Sequence, residues 1–135
     1  GNIAGFLGEE VVNNLIDGTI SNTYDYDIVY KTSSQNIKYD VKTKRCTSPP
    51  KSYYECSVAA YNTKQDCDRY AFVRIEWVKG KWGRAWVLGW LESKEYYSRA
   101  KKLCKGDVDP SNGYRVKADC YNVAISDLRE FRRRK

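Results

Sequence analysis

Residues 24–30 read YDYDIVY and residues 39–44 read YDVKTK. Both stretches are rich in residues that favour strands, and the polar segment between them predicts a turn, so together they predict a β-hairpin. Because side chains alternate along a strand, we expect Asp40 and Lys42 on one face and Val41 on the other, in the core. Two carboxylates and one ammonium group would then converge at one edge of the sheet. Such a set can hold a hard cation and position a water molecule.

The composition predicts one folded domain, residues 1–135, that does not enter a membrane. Hydrophobic residues make up 41% of the chain and charged residues 30%, which favours a buried core over disorder. No apolar run approaches the roughly 18 residues that a membrane span needs. Glu9 and Glu10 interrupt the apolar segment near the N-terminus, which argues against a signal peptide.

The charge balance points to a polyanionic partner. The formal net charge is +7, and residues 129–135 are largely basic. Lysine and arginine neutralise phosphates and release counterions, so the simplest expected partner is nucleic acid, with DNA as the first choice.

The chain has five cysteines and no histidine. The cysteines form no CxxC pair, which argues against a zinc site or a disulfide framework. We expect free thiols in a reducing compartment, the cytoplasm of a bacterial cell or of a virus-infected host cell. The lack of histidine excludes mechanisms with an imidazole base, among them the Ser-His-Asp triad and His-metal nuclease motifs. Any chemistry must use carboxylate, lysine, tyrosine, thiol or metal.

The pattern along the chain predicts an α/β fold with a mixed or largely antiparallel central sheet flanked by helices. A helix is expected over 3–16, with the apolar row Ile3, Leu7, Val11 and Leu15 and an end at Asp17-Gly18. Strands are expected over 27–30, 37–44, 53–60, 70–78, 84–91 and 114–124. Further helices are expected over 94–103, capped by Ser93, and over 126–133, capped by Ser126.

Three short motifs then resemble the PD-(D/E)XK nuclease superfamily, which has the restriction-endonuclease-like fold. They are GFLGE at 5–9, DIV at 27–29 and DVK at 40–42, and the resemblance covers roughly residues 3–78. The family core has a helix with Glu, a strand with Asp, a strand with (D/E)-X-K, and then a helix and a strand. One departure is Tyr26, which stands where the family usually has proline.

The resemblance implies a metal-dependent nuclease that hydrolyses phosphodiester bonds, most simply a DNA endonuclease. In that family the positions of Asp27, Asp40 and the Val41 carbonyl hold Mg²⁺ or Mn²⁺, Glu9 assists directly or through water, and Lys42 orients or deprotonates the attacking water. The alternative is a nucleic-acid-binding module that kept the fold and lost cleavage. A third reading is an interaction protein with a basic surface and an incidental DVK triplet.

Several assignments stay open at this stage. Asp25 lies on the same strand face as Asp27, and Glu10 lies nearer the apolar row of the helix than Glu9. Members of the family often act as dimers, so a homodimer remains open. Further candidates for phosphate, water or base contacts are Lys44, Gln65, Tyr53, Tyr54 and Tyr61. The four tryptophans, Trp77, Trp82, Trp86 and Trp90, are expected to pack in a core or an interface.

Overall fold

The computed structural model describes residues 2–132, and its fold is α/β with a mixed five-stranded sheet and two helices. The helices are α1 (Ile3–Ile16) and α2 (Ser93–Arg99). The strands are β1 (Thr19–Ile20), β2 (Ile28–Lys31), β3 (Asn36–Cys46), β4 (Glu55–Ala59), β5 (Arg69–Val78), β6 (Lys81–Glu92), β7 (Lys101–Leu103) and β8 (Cys120–Ala124). The larger sheet has the order β1-β2-β3-β5-β6, and a second sheet has the order β4-β8-β7.

The hairpin and the strand that follows it build the middle of the larger sheet. β2 pairs antiparallel with β3, β3 pairs parallel with β5, and β5 pairs antiparallel with β6. A parallel pair needs a crossover, which β4 and a 3₁₀ helix at Ala60–Lys64 provide. The predicted hairpin over 24–44 is thus confirmed, and the sheet is mixed as expected.

Helix α1 spans the predicted residues but buries a different face. Its buried residues are Ala4, Gly8 and Val12, whereas Ile3 and Phe6 are 62% and 56% exposed. The predicted apolar row is therefore only partly right: Leu7 packs against the core, but the buried face is centred on Gly8. Small residues allow the helix to lie close to β3, and a Cβ on Gly8 would overlap Thr43 Oγ1. The close approach therefore determines which face is buried.

The ends of α1 have recognisable caps. The side chain of Asn2 accepts a hydrogen bond from the N–H of Gly5 at 3.0 Å. At the other end Asp17, rather than Gly18, adopts the left-handed conformation, with φ of 60°. Its N–H donates to the carbonyl of Asn13 at 2.8 Å, which closes the last turn.

The C-terminal third differs most from the prediction. Helix α2 ends at Arg99, and the next residues form β7 instead of continuing the helix to 103. Ser93 does not cap α2 but is its first residue, and its hydroxyl donates to the carbonyl of Cys67 at 2.9 Å. Only residues 120–124 of the predicted strand 114–124 form β8.

The predicted helix over 126–133 is wrong within the described residues. A 3₁₀ turn covers Ile125–Asp127, and Arg129 then bridges to Trp90 of β6 in an extended conformation. Sheet pairing thus replaces the helix that the local pattern suggested. Residue 133, the end of that predicted helix, lies outside the described residues, as do the last basic residues, 134 and 135.

Two apolar clusters lie on opposite faces of β3 and β5. The first includes Val12 of α1 with Val41, Val73 and Ile75. The second includes Tyr70 and Phe72 with residues of the smaller sheet and α2, listed as Cys56, Val58, Tyr96 and Val123. The central sheet is therefore covered by α1 on one face and by the smaller sheet together with α2 on the other. The expected sheet was flanked by helices alone, so the smaller sheet is the part that was not predicted.

Among residues 2–132, no helix is both long and apolar enough to cross a membrane. The five cysteines all carry free thiols, and Cys56 and Cys67 are buried. The tryptophans mostly pack on the central sheet: Trp82 and Trp90 contact the first cluster, and the rings of Trp77 and Trp82 lie 4.4 Å apart between centroids.

Candidate active site

Strand β3 brings Asp40 and Lys42 together. Their side chains form an ion pair, with Lys42 Nζ 2.7 Å from Asp40 Oδ2. Val41 points to the opposite face and packs in the first cluster, as the alternation predicted. Lys42 Nζ also lies 5.9 Å from the centre of the Tyr70 ring, which belongs to the second cluster. The pair therefore sits on the face of the sheet that the smaller sheet covers.

Asp27 lies directly before β2 and is fixed to β3 by two hydrogen bonds. Its N–H donates to the carbonyl of Tyr39 at 2.8 Å, and its Oδ2 accepts from the N–H of Val41 at 2.8 Å. The carboxyl groups of Asp27 and Asp40 are close enough for each to shift the pKa of the other. The start of β2 therefore brings one carboxyl group near the other.

Asp25 has a different partner. Its Oδ1 accepts a hydrogen bond from the N–H of Asp66 at 3.1 Å, in the segment that leads into β5. Asp25 thus fastens the crossover, whereas Asp27 is the residue of this pair that meets Asp40. Of the two aspartates that the sequence left open, the structure therefore brings Asp27 near Asp40 and Asp25 to the crossover.

Gln65 connects the parts of the site. It follows the 3₁₀ helix of the crossover, and its Oε1 accepts from Lys42 Nζ at 3.1 Å. Its Nε2 donates to the carbonyl of Tyr24 at 2.8 Å and to Asp40 Oδ1 at 3.3 Å. One amide thus orients both charged residues of β3 and ties them to the chain before β2.

Glu9 is the helix carboxylate nearest the pair. Burial raises its pKa, and the charges of Asp40 and Glu10 raise it further. With about 100° of rotation per residue, Glu9 lies roughly 100° from the centre of the buried face of α1 and Glu10 roughly 160°. The order predicted from the apolar row is reversed because that row is not the buried face.

Burial dominates the electrostatics of the site. Asp40 is 3% exposed, and burial raises its pKa to about 7 even though Lys42 acts in the opposite direction. Burial also raises the pKa of Asp27, against the effect of the Val41 N–H, and the charge of Glu9 adds to the increase. Removal from water therefore shifts both aspartates toward the protonated form.

The donor set fits a hard divalent cation. Asp40 Oδ2 is buried and, apart from the ion pair with Lys42, has no hydrogen bond of good geometry. The N–H and C=O of a strand residue point to the same side of the strand, so the Val41 carbonyl points to the side of β3 on which Asp27 lies. Carboxylate and carbonyl oxygens are the ligands that Mg²⁺ and Mn²⁺ prefer.

The fit involves two carboxylates rather than three. Within residues 2–132 no three Asp, Glu, Cys or His side chains are grouped closely enough to hold a metal ion. Asp27, Asp40 and the Val41 carbonyl would form the protein part of the coordination, and Glu9 would act through water. The remaining ligands would be water and a substrate phosphate, as is common for Mg²⁺.

The other candidates occupy varied positions. Lys44 is exposed on the same face of β3 and lies in register with Arg74 of β5. Tyr53 is 67% exposed, Tyr61 is also exposed, and the ring of Tyr54 lies under the guanidinium of Arg74 at 5.3 Å. Arg74 itself was missed, although a single arginine within the apolar run 70–75 was a visible signal.

No protein-family model matches the chain, and no curated protein matches it either. Its function is therefore inferred from the site.

Proposed function

We propose that this chain is a nuclease that uses Mg²⁺ or Mn²⁺ to hydrolyse phosphodiester bonds, with DNA as its substrate. The observation that carries the proposal is the convergence of Asp27, Asp40 and Lys42: Lys42 Nζ lies 2.7 Å from the buried Asp40, Gln65 contacts both, and Asp27 lies close enough to shift the pKa of Asp40. The net charge of +7 supports a polyanionic substrate.

The order of the elements supports a restriction-endonuclease-like core. A helix with Glu9 precedes a strand entered at Asp27, and the next strand carries Asp40 and Lys42. The crossover then returns the chain to β5, parallel to β3. A short 3₁₀ helix stands where the resemblance implies an α-helix, and it delivers Gln65 to the site.

Each residue has a specific part in the proposed reaction. A bound divalent cation would neutralise charge on the phosphate and lower the pKa of its water. Asp27 and Asp40 would hold that cation where β2 begins beside β3, and the burial of Asp40 would keep competing water away. Lys42 Nζ, held by Asp40 and Gln65, is placed to donate to the scissile phosphate and to orient the attacking water.

The proposed reaction is the hydrolysis of a phosphodiester bond by one water molecule. The water oxygen bonds to phosphorus and loses one proton to solvent, while the bond from phosphorus to the 3′ oxygen breaks. The leaving oxygen takes up a proton. The products that the resemblance implies carry a 5′-phosphate and a 3′-hydroxyl.

A panel of end-labelled substrates tests this proposal. Linear duplex, nicked, branched and single-stranded DNA, together with RNA, would be incubated with Mg²⁺, Mn²⁺ or EDTA. We expect cleavage only with a metal, and Asp40→Asn should lower its rate by at least about a hundredfold. Glu130→Gln, which alters an exposed carboxylate, is the matched control.

Two outcomes would reject the proposal. If the wild-type chain binds nucleic acid in a salt-sensitive manner and cleaves none of these substrates, it is the binding module instead. If cleavage occurs but Asp40→Asn cleaves as fast as the control, the reaction takes place elsewhere.

A further inference from the structure

A row of cations continues from the proposed active site along the sheet. Lys42 and Lys44 share one face of β3, and Lys44 lies in register with Arg74 of the neighbouring strand. This face looks toward the smaller sheet, because Phe72, two residues before Arg74, packs in the second cluster. The positive charge therefore lies between the two sheets.

Arg74 is buried without an acidic partner. It is 8% exposed, and none of the ion pairs within residues 2–132 includes Arg74 or Lys44. Its Nη2 donates to the carbonyl of Glu55 at 3.0 Å, and its guanidinium lies over the Tyr54 ring. A guanidinium has five N–H donors, and within residues 2–132 the bond to Glu55 is the one protein hydrogen bond that the Arg74 side chain donates. A buried charge of this kind is costly unless an anion joins it.

Two acids nearby share one lysine. The carboxylates of Glu55 and Asp109 line the same space, and Lys101 Nζ lies 3.0 Å from the first and 3.1 Å from the second. One negative charge remains in this group, so the two cations Arg74 and Lys44 still leave this wall of the cavity with a net positive charge.

The space itself is a cavity of about 840 Å³ whose lining includes Lys42, Arg74 and Tyr114. This volume is typical of pockets that enclose a small ligand, roughly 300–1,000 Å³. A double helix is far larger, since its major groove alone is about 12 Å wide. Tyr53, which is 67% exposed, and Tyr114, which is 52% exposed, lie at the lining and offer ring faces for stacking.

We infer that this cavity binds a single strand of nucleic acid, with Arg74 and Lys44 on phosphates next to the scissile one and the tyrosines against its bases. The inference rests on the proposed nuclease function and names its substrate class: nucleic acid with an unpaired segment or end. The strand lies between the two sheets, and Lys42, which belongs to the lining of the cavity and to the proposed active site, meets the phosphate to be cleaved.

Binding measured without metal tests the inference separately from cleavage. Fluorescence anisotropy in EDTA would use labelled oligothymidine and oligouridine of about 12 nucleotides, a length within the range of single-strand sites, and a blunt DNA duplex. The variants are Arg74→Gln and Lys44→Gln. The control is Lys81→Gln, which removes the same charge at the exposed start of β6. Urea unfolding establishes that each variant is folded. If Arg74→Gln does not fold, the test relies on Lys44→Gln, which changes an exposed residue.

We expect the wild type to bind the single strands more tightly than the duplex. Arg74→Gln should weaken single-strand binding about tenfold, as expected for a charged hydrogen bond. Each of the two variants should reduce the slope of log affinity against log salt by roughly 0.7, the value for one phosphate of a single strand. The control should change neither quantity. The DNA and RNA arms show which sugar the cavity accepts.

The inference is overturned if both variants bind single strands as tightly as the control does. It is also overturned if the wild type binds the duplex as tightly as the single strands and the variants weaken duplex binding by the same factor. A chain that binds through Arg74 but cleaves nothing contradicts the proposed function and leaves this site standing. A chain that cleaves while both variants bind normally contradicts the cavity alone.

Discussion

The substitution Asp40→Asn tests the electrostatics of the site through stability alone. Asp40 has a folded pKa of about 7 against 3.8 for an ordinary aspartate, so the folded protein holds its proton more tightly than the unfolded chain does. The stability that this group contributes is complete below about pH 4 and is lost as the pH rises through 7. Each pH unit in between costs about 1.4 kcal/mol. From about pH 5 to 8, the metal-free wild type should lose up to about 3 kcal/mol.

Urea unfolding in EDTA, followed by tryptophan fluorescence, measures this loss. Asp40→Asn should remove most of it, because asparagine fills the same space and does not titrate. The raised pKa values of Asp27 and Glu9 leave a smaller dependence of the same sign. Asp109, with its pKa lowered to about 2, changes the stability only at lower pH. If Asp40→Asn and the wild type lose the same free energy of unfolding between about pH 5 and 8, burial does not raise the pKa of Asp40 as described.

Three further predictions concern neighbouring residues. Asp27→Asn should lower the rate of metal-dependent cleavage at least about a hundredfold. Asp25→Asn should instead cost about 1 kcal/mol of stability and leave the cleavage rate within severalfold. A larger loss of cleavage rate in Asp25→Asn than in Asp27→Asn would contradict the assignment. Gln65→Ala should slow cleavage about tenfold through loss of orientation, measured as initial rates, and an unchanged rate would remove Gln65 from the site. Gly8→Ala should lower the free energy of unfolding by about 1–3 kcal/mol. Adding Thr43→Ala should restore much of this loss, measured by urea unfolding. If the effects of the two substitutions on stability simply add, the side chains at positions 8 and 43 do not collide.

The centre of the site could be predicted because it depends on local rules. Alternation along one strand fixes that Asp40 and Lys42 share a face and that Val41 does not. The hairpin then brings Asp27 alongside, since β2 and β3 are neighbours in sequence and in space. These features need no knowledge of distant contacts.

The rest depends on contacts between distant parts of the chain. The periodicity of α1 favoured its largest apolar residues, but the close approach of Gly8 to Thr43 decided which face is buried. The smaller sheet joins β4 to β8, with Glu55 opposite Ala124, and no local pattern specifies that pairing. The cavity around Arg74 lies between the two sheets and was hidden for the same reason.

In the proposed mechanism, Lys42 serves the hydrolysis of a phosphodiester bond. The most direct measurement is the initial rate of Mg²⁺-dependent cleavage by Lys42→Ala compared with Lys38→Ala. Both lysines lie on the same face of β3 and both variants lose one positive charge, but the ammonium of Lys38 rests over the Tyr26 ring at 5.1 Å. We predict that Lys42→Ala is slower than Lys38→Ala by at least about a hundredfold. Equal rates for the two variants would contradict the claim.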